Sequence, residues 1–450
     1  MKYLKIVICK IFDFLASLDI MSMFILDSRF AFPSHTSFYN LFSNVLFNLL
    51  HLRINFLIKN IFTILFLVFL NTLKLIYTPL IIIIYLSNYR FVQINYSQIG
   101  VLNYHLDVMI KKNSIDGYKS IILIPSYSDF AFVKEIFKNL IIVNNLFLNI
   151  ILLPLKHSSL ISCKVKDVDH LVNSNFKLIR SSPSSKINLQ YNSLNKGKNQ
   201  YQFKNSFEIK MKNYFVKNYS NLDISKTFII HNRESNYKNT SYLRGSKLSS
   251  YIPAIKHLLS KGYGVIRLTH SKSNKINIKN KKYLEINTDL NFNKQLQYYL
   301  ILKSKGFICN SSGPSCIGSL LSVPVLHVNV FGVNTNAVTK KSIFIPKIIK
   351  VKNRNLSFRD IVELNYYGGY YLSNAYSNKL HFKAIENTPK EILQGLKEFI
   401  NLKNQSKQSR KQKQFKFSLP DYIEMKHYES NISKFFLEKN SNYFKSHLKS

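Results

Sequence analysis

Two short apolar runs in the second half of the chain stop abruptly at polar, loop-forming residues. They are Phe228-Ile-Ile-His231-Asn-Arg233-Glu234-Ser235 and Gly306-Phe-Ile-Cys-Asn-Ser311-Ser312-Gly313-Pro314-Ser315. Short, unbroken apolar runs fit strands buried on both faces, which are the strands of a parallel sheet covered by helices. In such sheets ligands bind at the carboxyl ends of the strands. One of these ends offers an imidazole and a guanidinium, the other offers hydroxyls and a glycine turn opening a helix. Together they resemble a cradle for a phosphorylated ligand.

The same strand-turn-helix logic extends on both sides. Arg90 to Asn95 reads as a strand, Gln98-Ile-Gly100 as a tight turn and Val101 to Lys111 as a helix. Ser120 to Ile124 is a second strand, Phe130 to Leu140 a helix capped by Asp129, and Leu146 to Leu153 a third strand. Residues 158–205 are polar, rich in Ser, Asn and Lys, and read as a long surface excursion. Helical spacing resumes from Phe207 to Lys217. The second run places a strand at 227–231, a helix from Tyr251 to Ser260 stopped by Gly262, and strands at Gly264–Leu268 and Tyr283–Ile286. A helix at Lys294–Ser304, a strand at Phe307–Cys309, a helix at Cys316–Leu321 and a strand at Val323–Val328 follow. Glu391 to Leu402 is a further helix, 403–416 a basic linker with little chance of packing, and Asn431 to Phe436 the start of a terminal helix. The expected class is α/β, with two Rossmann-like domains facing a cleft and an apolar helical amino-terminal segment that associates with membranes. The expected divisions are 1–89, 90–222, 223–402 and 403–450.

Residues Asn60 to Tyr89 carry one charge, Lys74. A spanning helix wants about 20 apolar residues, and Lys74 and Pro79 divide this stretch into shorter pieces. Three readings stay open: one imperfect transmembrane helix within 57–89, an interfacial or re-entrant pair, or a buried core helix. Membrane attachment without a crossing is preferred, with Arg53, Lys59 and Arg90 suited to an anionic leaflet. The first 26 residues read as a signal peptide or as an amphipathic surface helix. The expected location is the cytoplasmic face of the inner membrane, peripheral or monotopic.

Lys and Arg number 63 against 23 Asp and Glu, a net charge of +40. Such a surplus favours anionic partners: acidic lipid, phosphorylated substrate or nucleic acid. The wealth of Lys, Asn, Ile, Phe and Tyr is also what an AT-rich genome produces whatever the function, and no nucleic-acid-binding motif accompanies the charge. Nucleic acid is therefore not an expected partner. Cys9, Cys163, Cys309 and Cys316 form no Cys-x-x-Cys pair. Neither a disulfide framework nor a metal site is expected, and a reducing compartment fits.

His231 and Arg233 are two apart, so one strand end can project both to the same side. The planar, permanently charged guanidinium of Arg233 matches phosphate oxygens. The plainer alternative is an Arg233–Glu234 salt bridge on a capped strand end. At Ser311-Ser312-Gly313-Pro314-Ser315, Gly313 permits a turn with positive φ, and Ser315 or Pro314 can open the next helix, where free N–H groups and hydroxyls attract anions. An ordinary strand-to-helix loop is the alternative. Arg267 ends its strand and is a second phosphate contact or a surface charge. Asp289 is a donor-site residue or the cap of the following helix. Gly100 lets a ligand approach the backbone or lets a helix pack.

The order of His231-Asn-Arg233-Glu234-Ser235, Tyr251-Ile-Pro-Ala-Ile255, Lys261-Gly-Tyr-Gly-Val-Ile-Arg267, Gly313-Pro314-Ser315 and Val323-Pro-Val-Leu326 resembles a family of bacterial glycosyltransferases associated with surface polysaccharide synthesis. The match runs from about Thr227 to Asn329, with echoes at Ile99-Gly100 and at Ser430–Leu437. The pairing of His-x-Arg with a Ser-Gly loop is also similar to fucosyltransferases of the GT-B type. The resemblance implies a metal-independent, GT-B-like enzyme without a cofactor, which moves a sugar from a nucleotide-sugar donor to a glycan or lipid-linked acceptor. It gives Arg233 the donor diphosphate and Ser311, Ser312, Gly313 and Ser315 the cradle, with Arg267 and Asp289 beside them. His231 lies in the donor or acceptor pocket, and Gly100 and His105 fall on the acceptor side. Glu234, His231 and Asp289 stay open as the base. Two positions depart from the pattern: Val101 stands where a histidine is expected, and Lys247 where an acidic residue is expected. A non-catalytic nucleotide- or carbohydrate-binding protein on a degraded transferase scaffold is the alternative reading, and a basic membrane-surface or nucleic-acid-binding protein is the last.

Overall fold

In a computed structural model, the described residues lie between 65 and 448. Residues 1–64, the stretches 165–201, 235–243, 331–340, 356–381 and 419–429, and some shorter gaps fall outside them. The chain forms two compact units. One takes its residues from those up to Ser97, from Asn113–Lys134 and from Leu140–Ser182, and the other takes Gln98–Lys112, Glu135–Asn139 and Pro183 onward.

The first unit is a small parallel sheet. In chain order the elements over this stretch are α1 (Thr78–Leu86), β1 (Tyr89–Gln93), α2 (Ile99–Ile115, which belongs to the second unit up to Lys112), β2 (Lys119–Leu123), α3 (Val133–Ile136, whose last two residues belong to the second unit), β3 (Ile141–Val143), α4 (Leu146–Ile151), α5 (Leu153–Lys156) and β4 (Ser162–Lys164). The strand order is β3-β2-β1-β4, parallel throughout. A buried cluster of Ile81, Phe91, Leu123, Leu155 and Ile161 holds α1 and α5 to this sheet.

Three expectations are corrected here. The strand expected over Leu146–Leu153 is helix; the strand is Ile141–Val143 just before it. Asn145 separates the two, its Oδ1 accepting the N–H of Leu148 at 3.1 Å to start α4. A short apolar run has no period that tells a buried helix from a strand. The helix expected over Phe130–Leu140 shrinks to α3, because Phe137 leaves it for an antiparallel bridge to Phe203; its expected cap, Asp129, lies outside the described residues. The surface excursion expected over 158–205 contributes β4, which pairs with β1.

The second unit continues with α6 (Asn205–Asn218), β5 (Thr227–His231), α7 (Ile252–Ser260), β6 (Gly264–Thr269), β7 (Tyr283–Asn287), α8 (Asn291–Lys303), β8 (Gly306–Cys309), α9 (Ser315–Leu320), β9 (Val325–Val330), β10 (Ile343–Pro346), β11 (Ile348–Val351), β12 (Arg354–Asn355), β13 (Phe382–Ile385), α10 (Pro389–Asn401), α11 (Arg410–Phe417), β14 (Asn431–Ile432), α12 (Lys434–Lys439) and α13 (Ser441–Leu448). Seven strands form one parallel sheet in the order β14-β10-β9-β8-β5-β6-β7. Every residue of β5, β6, β8 and β9 is buried, as strands covered on both faces require. Gly262 ends α7 at φ 82°, a conformation that costs glycine little. A capping box from Thr388 and Glu391 starts α10.

Two expectations about the carboxyl terminus change. The basic stretch 403–416 contains α11, anchored by fully buried Phe415 against Phe344 and Phe444, with ring centroids 6.3 and 5.6 Å apart. A single aromatic among lysines and glutamines is enough to dock a helix. Asn431 opens a strand, β14, paired to β10, before the terminal helices begin. Of the turn expected at Gln98–Gly100, Ile99 and Gly100 already belong to the first turn of α2, and Gln98 lies outside the described residues.

Candidate functional site

The order of the large sheet locates the site. From β5 the chain steps outward to β6 and β7, then returns to lay β8 on the other side of β5 and moves on to β9 and β10. The loops leaving β5 and β8 therefore diverge, and the gap between their carboxyl ends is the topological switch point where open parallel sheets bind ligands. His231-Asn232-Arg233 and Asn310-Ser311-Ser312 are the residues at that gap. The structure brings these two predicted segments together, with His231 and Cys309 in register on neighbouring strands.

Asn310 joins them. Its Oδ1 accepts the N–H of Arg233 at 2.8 Å, and its Nδ2 donates to the carbonyl of Arg233 at 2.9 Å, as a further strand would. The same Nδ2 reaches the carbonyl of Arg244 at 3.2 Å and the hydroxyl of Ser246 at 2.9 Å. The segment Arg244–Ser246 thus becomes a third wall. Ser246 N–H donates to the carbonyl of Arg233 at 2.9 Å, and Arg244 Nε to the carbonyl of Ser311 at 3.1 Å. Buried Lys347 donates to the carbonyl of Gly245 at 2.5 Å, and burial brings its ammonium down to about 8, against a weaker upward pull from Glu386. Lys247 offers its backbone N–H to Glu386 at 2.6 Å. The sequence reading gave Asn310, Arg244 and Lys347 no role. A polar residue directly after a buried strand, and a lone lysine inside the apolar run Ile343–Ile349, were the signals available.

At the gap, Ser312 Oγ and Asn232 Oδ1 are buried and meet no hydrogen-bond partner among the described residues. An unpaired buried hydroxyl or amide oxygen costs about 1–3 kcal/mol, so natural chains keep such atoms chiefly for a ligand or an ordered water. Ser315 is not a helix cap. It is the first residue of α9, and its hydroxyl donates to the carbonyl of Ser312 at 2.5 Å, fixing the turn. Gly313 does not adopt positive φ. Its lack of a side chain serves a close approach: a Cβ there would stand 2.8 Å from Ile99 Cγ2, and a Cβ on Gly100 would stand 2.8 Å from Gly313 Cα. Gly100 is therefore a packing glycine that lets the start of α2 rest on the Ser-Gly loop. His105 lies in α2, and its side chain is outside the described residues.

Arg267 is not a phosphate contact. It sits inside β6, which runs on to Thr269, and it is fully buried. Glu285 stands beside it in register on β7 and bonds it at 2.9 Å. Glu234 bonds it at 2.8 Å, and the carbonyl of Asn274 accepts from it at 2.6 Å. Glu234 also accepts from the backbone and side-chain N–H groups of Asn274. Glu234 thus pairs with Arg267, and as a base candidate it is committed to structure.

His231 is buried, its Nδ1 donating to the carbonyl of Leu268 at 3.4 Å. Burial first, then the charges of His270, Arg267 and Arg233, bring it down to about 3, outweighing the Leu268 hydrogen bond, so the ring is neutral. Its ring meets that of His270 edge to face, centroids 5.5 Å apart. His270 Nδ1 lies 3.1 Å from Asp289 Oδ1, and Ser271 N–H donates to Asp289 Oδ2 at 2.7 Å. Burial pulls the Asp289 carboxyl upward, but the bonds from Ser271 and the pull of His270 outweigh it and hold it at about 2. Asp289 is therefore not the cap of α8, which starts after Leu290 without a side-chain cap.

No protein-family model matches the chain, and no curated protein matches it. Among solved structures it aligns with a family 9 glycosyl transferase from Veillonella parvula at 9% identity, covering 57% of this chain and 85% of that one, with a TM-score of 0.41. It aligns with the ADP-heptose heptosyltransferase II of E. coli lipopolysaccharide at 10% identity, covering 70% and 99%, with a TM-score of 0.42. A third is the dodecameric iron-containing heptosyltransferase TibC in complex with ADP-D-β-D-heptose, at 12% identity, covering 65% and 75%, with a TM-score of 0.30. These similarities are low, and the chemistry of the site rests on its own residues.

Proposed function

We propose that the second unit binds the diphosphate of a nucleotide-sugar at the β5–β8 gap, and that the protein is a glycosyltransferase acting on a glycan or lipid-linked acceptor. The observation that carries this is the switch point itself. An arginine backbone is clamped there by Asn310, and two buried polar atoms, Ser312 Oγ and Asn232 Oδ1, are left for a ligand. A guanidinium at that place offsets the charge that develops on a diphosphate as the bond to the sugar breaks. Ser312 can donate to a phosphate oxygen, and Asn232 Oδ1 can accept from a hydroxyl of the ligand.

Thermal shift against a panel of nucleotide-sugars tests the reading, because a ligand bound only by the folded state raises the melting temperature. The expected result is a shift with at least one donor that Arg233→Ala abolishes while keeping its own melting point. No shift with any donor, or an equal shift in Arg233→Ala, would overturn the assignment.

One observation favours the second reading, a binder without transfer. Of the three base candidates, Glu234 is held by Arg267, His231 is buried and neutral, and Asp289 is held by Ser271 and His270. Donor hydrolysis or transfer by the full chain separates the two readings, since a binder shows neither.

A further inference from the structure

Among its described residues, the first unit carries an apolar surface left exposed. In α1 the run Leu80-Ile-Ile-Ile-Ile-Tyr-Leu86 has no charge, and only Ile81 is buried. Ile82, Ile83 and Leu86 are exposed, Leu86 by 71%. On α4, Phe147 is 70% exposed and Leu148 is exposed beside it. These helices share one side of the sheet. Phe91 and Ile121 are register partners, Leu123 and Val143 likewise, and all four belong to the cluster that also takes Ile81 from α1 and Leu152 and Leu155 from α4–α5. The inner faces of α1 and α4–α5 thus cover one face of the sheet, and their outer faces present the exposed residues together. Large exposed apolar side chains grouped on one side of a folded unit mark a docking site.

We propose that this surface docks on the acyl boundary of an anionic bilayer. Two physical arguments select lipid over a second copy of the chain. The chain carries a net charge of +40, so two copies repel each other while an anionic leaflet attracts either one. The residues 75–86 also offer an interface almost no polar side chains to pair, whereas protein interfaces keep a polar rim. The helix lies on the membrane and does not cross it. Its nine residues span about 14 Å, less than half of a hydrocarbon core of about 30 Å. Among the described residues no helix is long and apolar enough to cross. The folded unit itself is the anchor, including α4, which lies more than fifty residues beyond the oily start of the chain. The proposal stands independently of the nucleotide-sugar site.

The chain has no tryptophan, so Phe147→Trp makes a single reporter on α4. The full-length variant is mixed with vesicles of phosphatidylglycerol and phosphatidylcholine, and with vesicles of phosphatidylcholine alone. The expected result is a blue shift of emission on the anionic vesicles, with quenching by brominated acyl chains and a weaker response on phosphatidylcholine. Leu86→Asp with Phe147→Asp should bind the anionic vesicles roughly tenfold or more weakly, at an unchanged melting temperature. If that pair fails to fold, the tryptophan variant still decides. Unchanged emission on vesicles that the chain nevertheless binds would assign binding to other residues and overturn the proposal. So would a blue shift that grows with protein concentration in the absence of lipid, which would assign the surface to self-association.

Discussion

Gly100, at the start of α2, and Gly313, in the loop after β8, approach so closely that a methyl group on Gly100 would stand 2.8 Å from the Cα of Gly313. The two residues are 213 positions apart, yet neither has room for a side chain. The obstacle on the Gly313 side is backbone, which cannot rotate out of the way as a flexible side chain can.

Gly100→Ala is therefore expected to destabilise the fold by about 1–3 kcal/mol, the usual cost of overpacking. Urea unfolding measures it. The displaced group is the loop that carries Ser312 and Ser315, so the variant should also lose thermal shift with a bound nucleotide-sugar. A variant as stable as the parent would mean that the loop and helix stand further apart than 2.8 Å requires.

Arg267 makes the second prediction. It is fully buried between Glu234 and Glu285, with register placing Glu285 beside it and the loop after β5 delivering Glu234. Arg267→Met leaves two carboxylates without their cation and should cost about 3–5 kcal/mol. Arg267→Met combined with Glu234→Gln and Glu285→Gln removes the stranded charges and should recover much of that loss. A direct phosphate contact would behave differently: Arg267→Met would then weaken ligand binding with little loss of stability.

Much of the second unit was legible in its sequence. Thr227–His231, Gly264–Thr269 and Gly306–Cys309 are short apolar runs between turn residues, and burial on both faces leaves such runs few other conformations. The site segments were legible for the same reason, since polar residues that end a buried strand have nowhere to lie but the sheet edge. What the sequence did not reveal was pairing. Arg267 and Glu234 are 33 residues apart, and only strand order and register bring the charge of one to the other. Leu146–Ile151 reads as a strand yet forms a helix, because so short a run, apolar but for Asn149, fits either. The role of Asn310 lies in the backbone atoms it clamps, and an amide at a strand end has no spacing signature.

A third prediction concerns pH. His327 lies inside β9, fully buried beside Cys309, and neither ring nitrogen meets a hydrogen-bond partner. Burial lowers it to about 4, against a weaker upward pull from the backbone of Asn310. The folded value lies below the ordinary 6.5, so the unfolded chain binds more protons between those two values. Stability from the neutral ring is fully present above about 6.5 and is lost as pH falls toward 4. His231, at about 3, acts in the same direction. His327→Leu should therefore lose about 2 kcal/mol less than the parent between pH 7 and pH 5. Urea unfolding at both values tests this, and equal losses in parent and variant would mean the ring is not held neutral by the fold.

Ser312 separates stability from binding most sharply. Its hydroxyl is buried and meets no hydrogen-bond partner among the described residues, while its carbonyl accepts from both the N–H and the hydroxyl of Ser315 and so fixes the turn. Ser312→Ala keeps that backbone and deletes only the orphaned oxygen. Removing an unpaired buried polar atom is neutral or favourable, so the melting temperature should stay level or rise. If the hydroxyl donates to a phosphate oxygen, the same change should weaken nucleotide-sugar binding roughly tenfold, the effect of losing a hydrogen bond to a charged group. Ser315→Ala should do the opposite first. It removes a bond that shapes the turn, so it should lower the melting temperature, and any loss of affinity should follow from that. Binding isotherms for both variants decide the matter: equal affinity in Ser312→Ala and the parent would remove the hydroxyl from the ligand site, whatever the turn around it does.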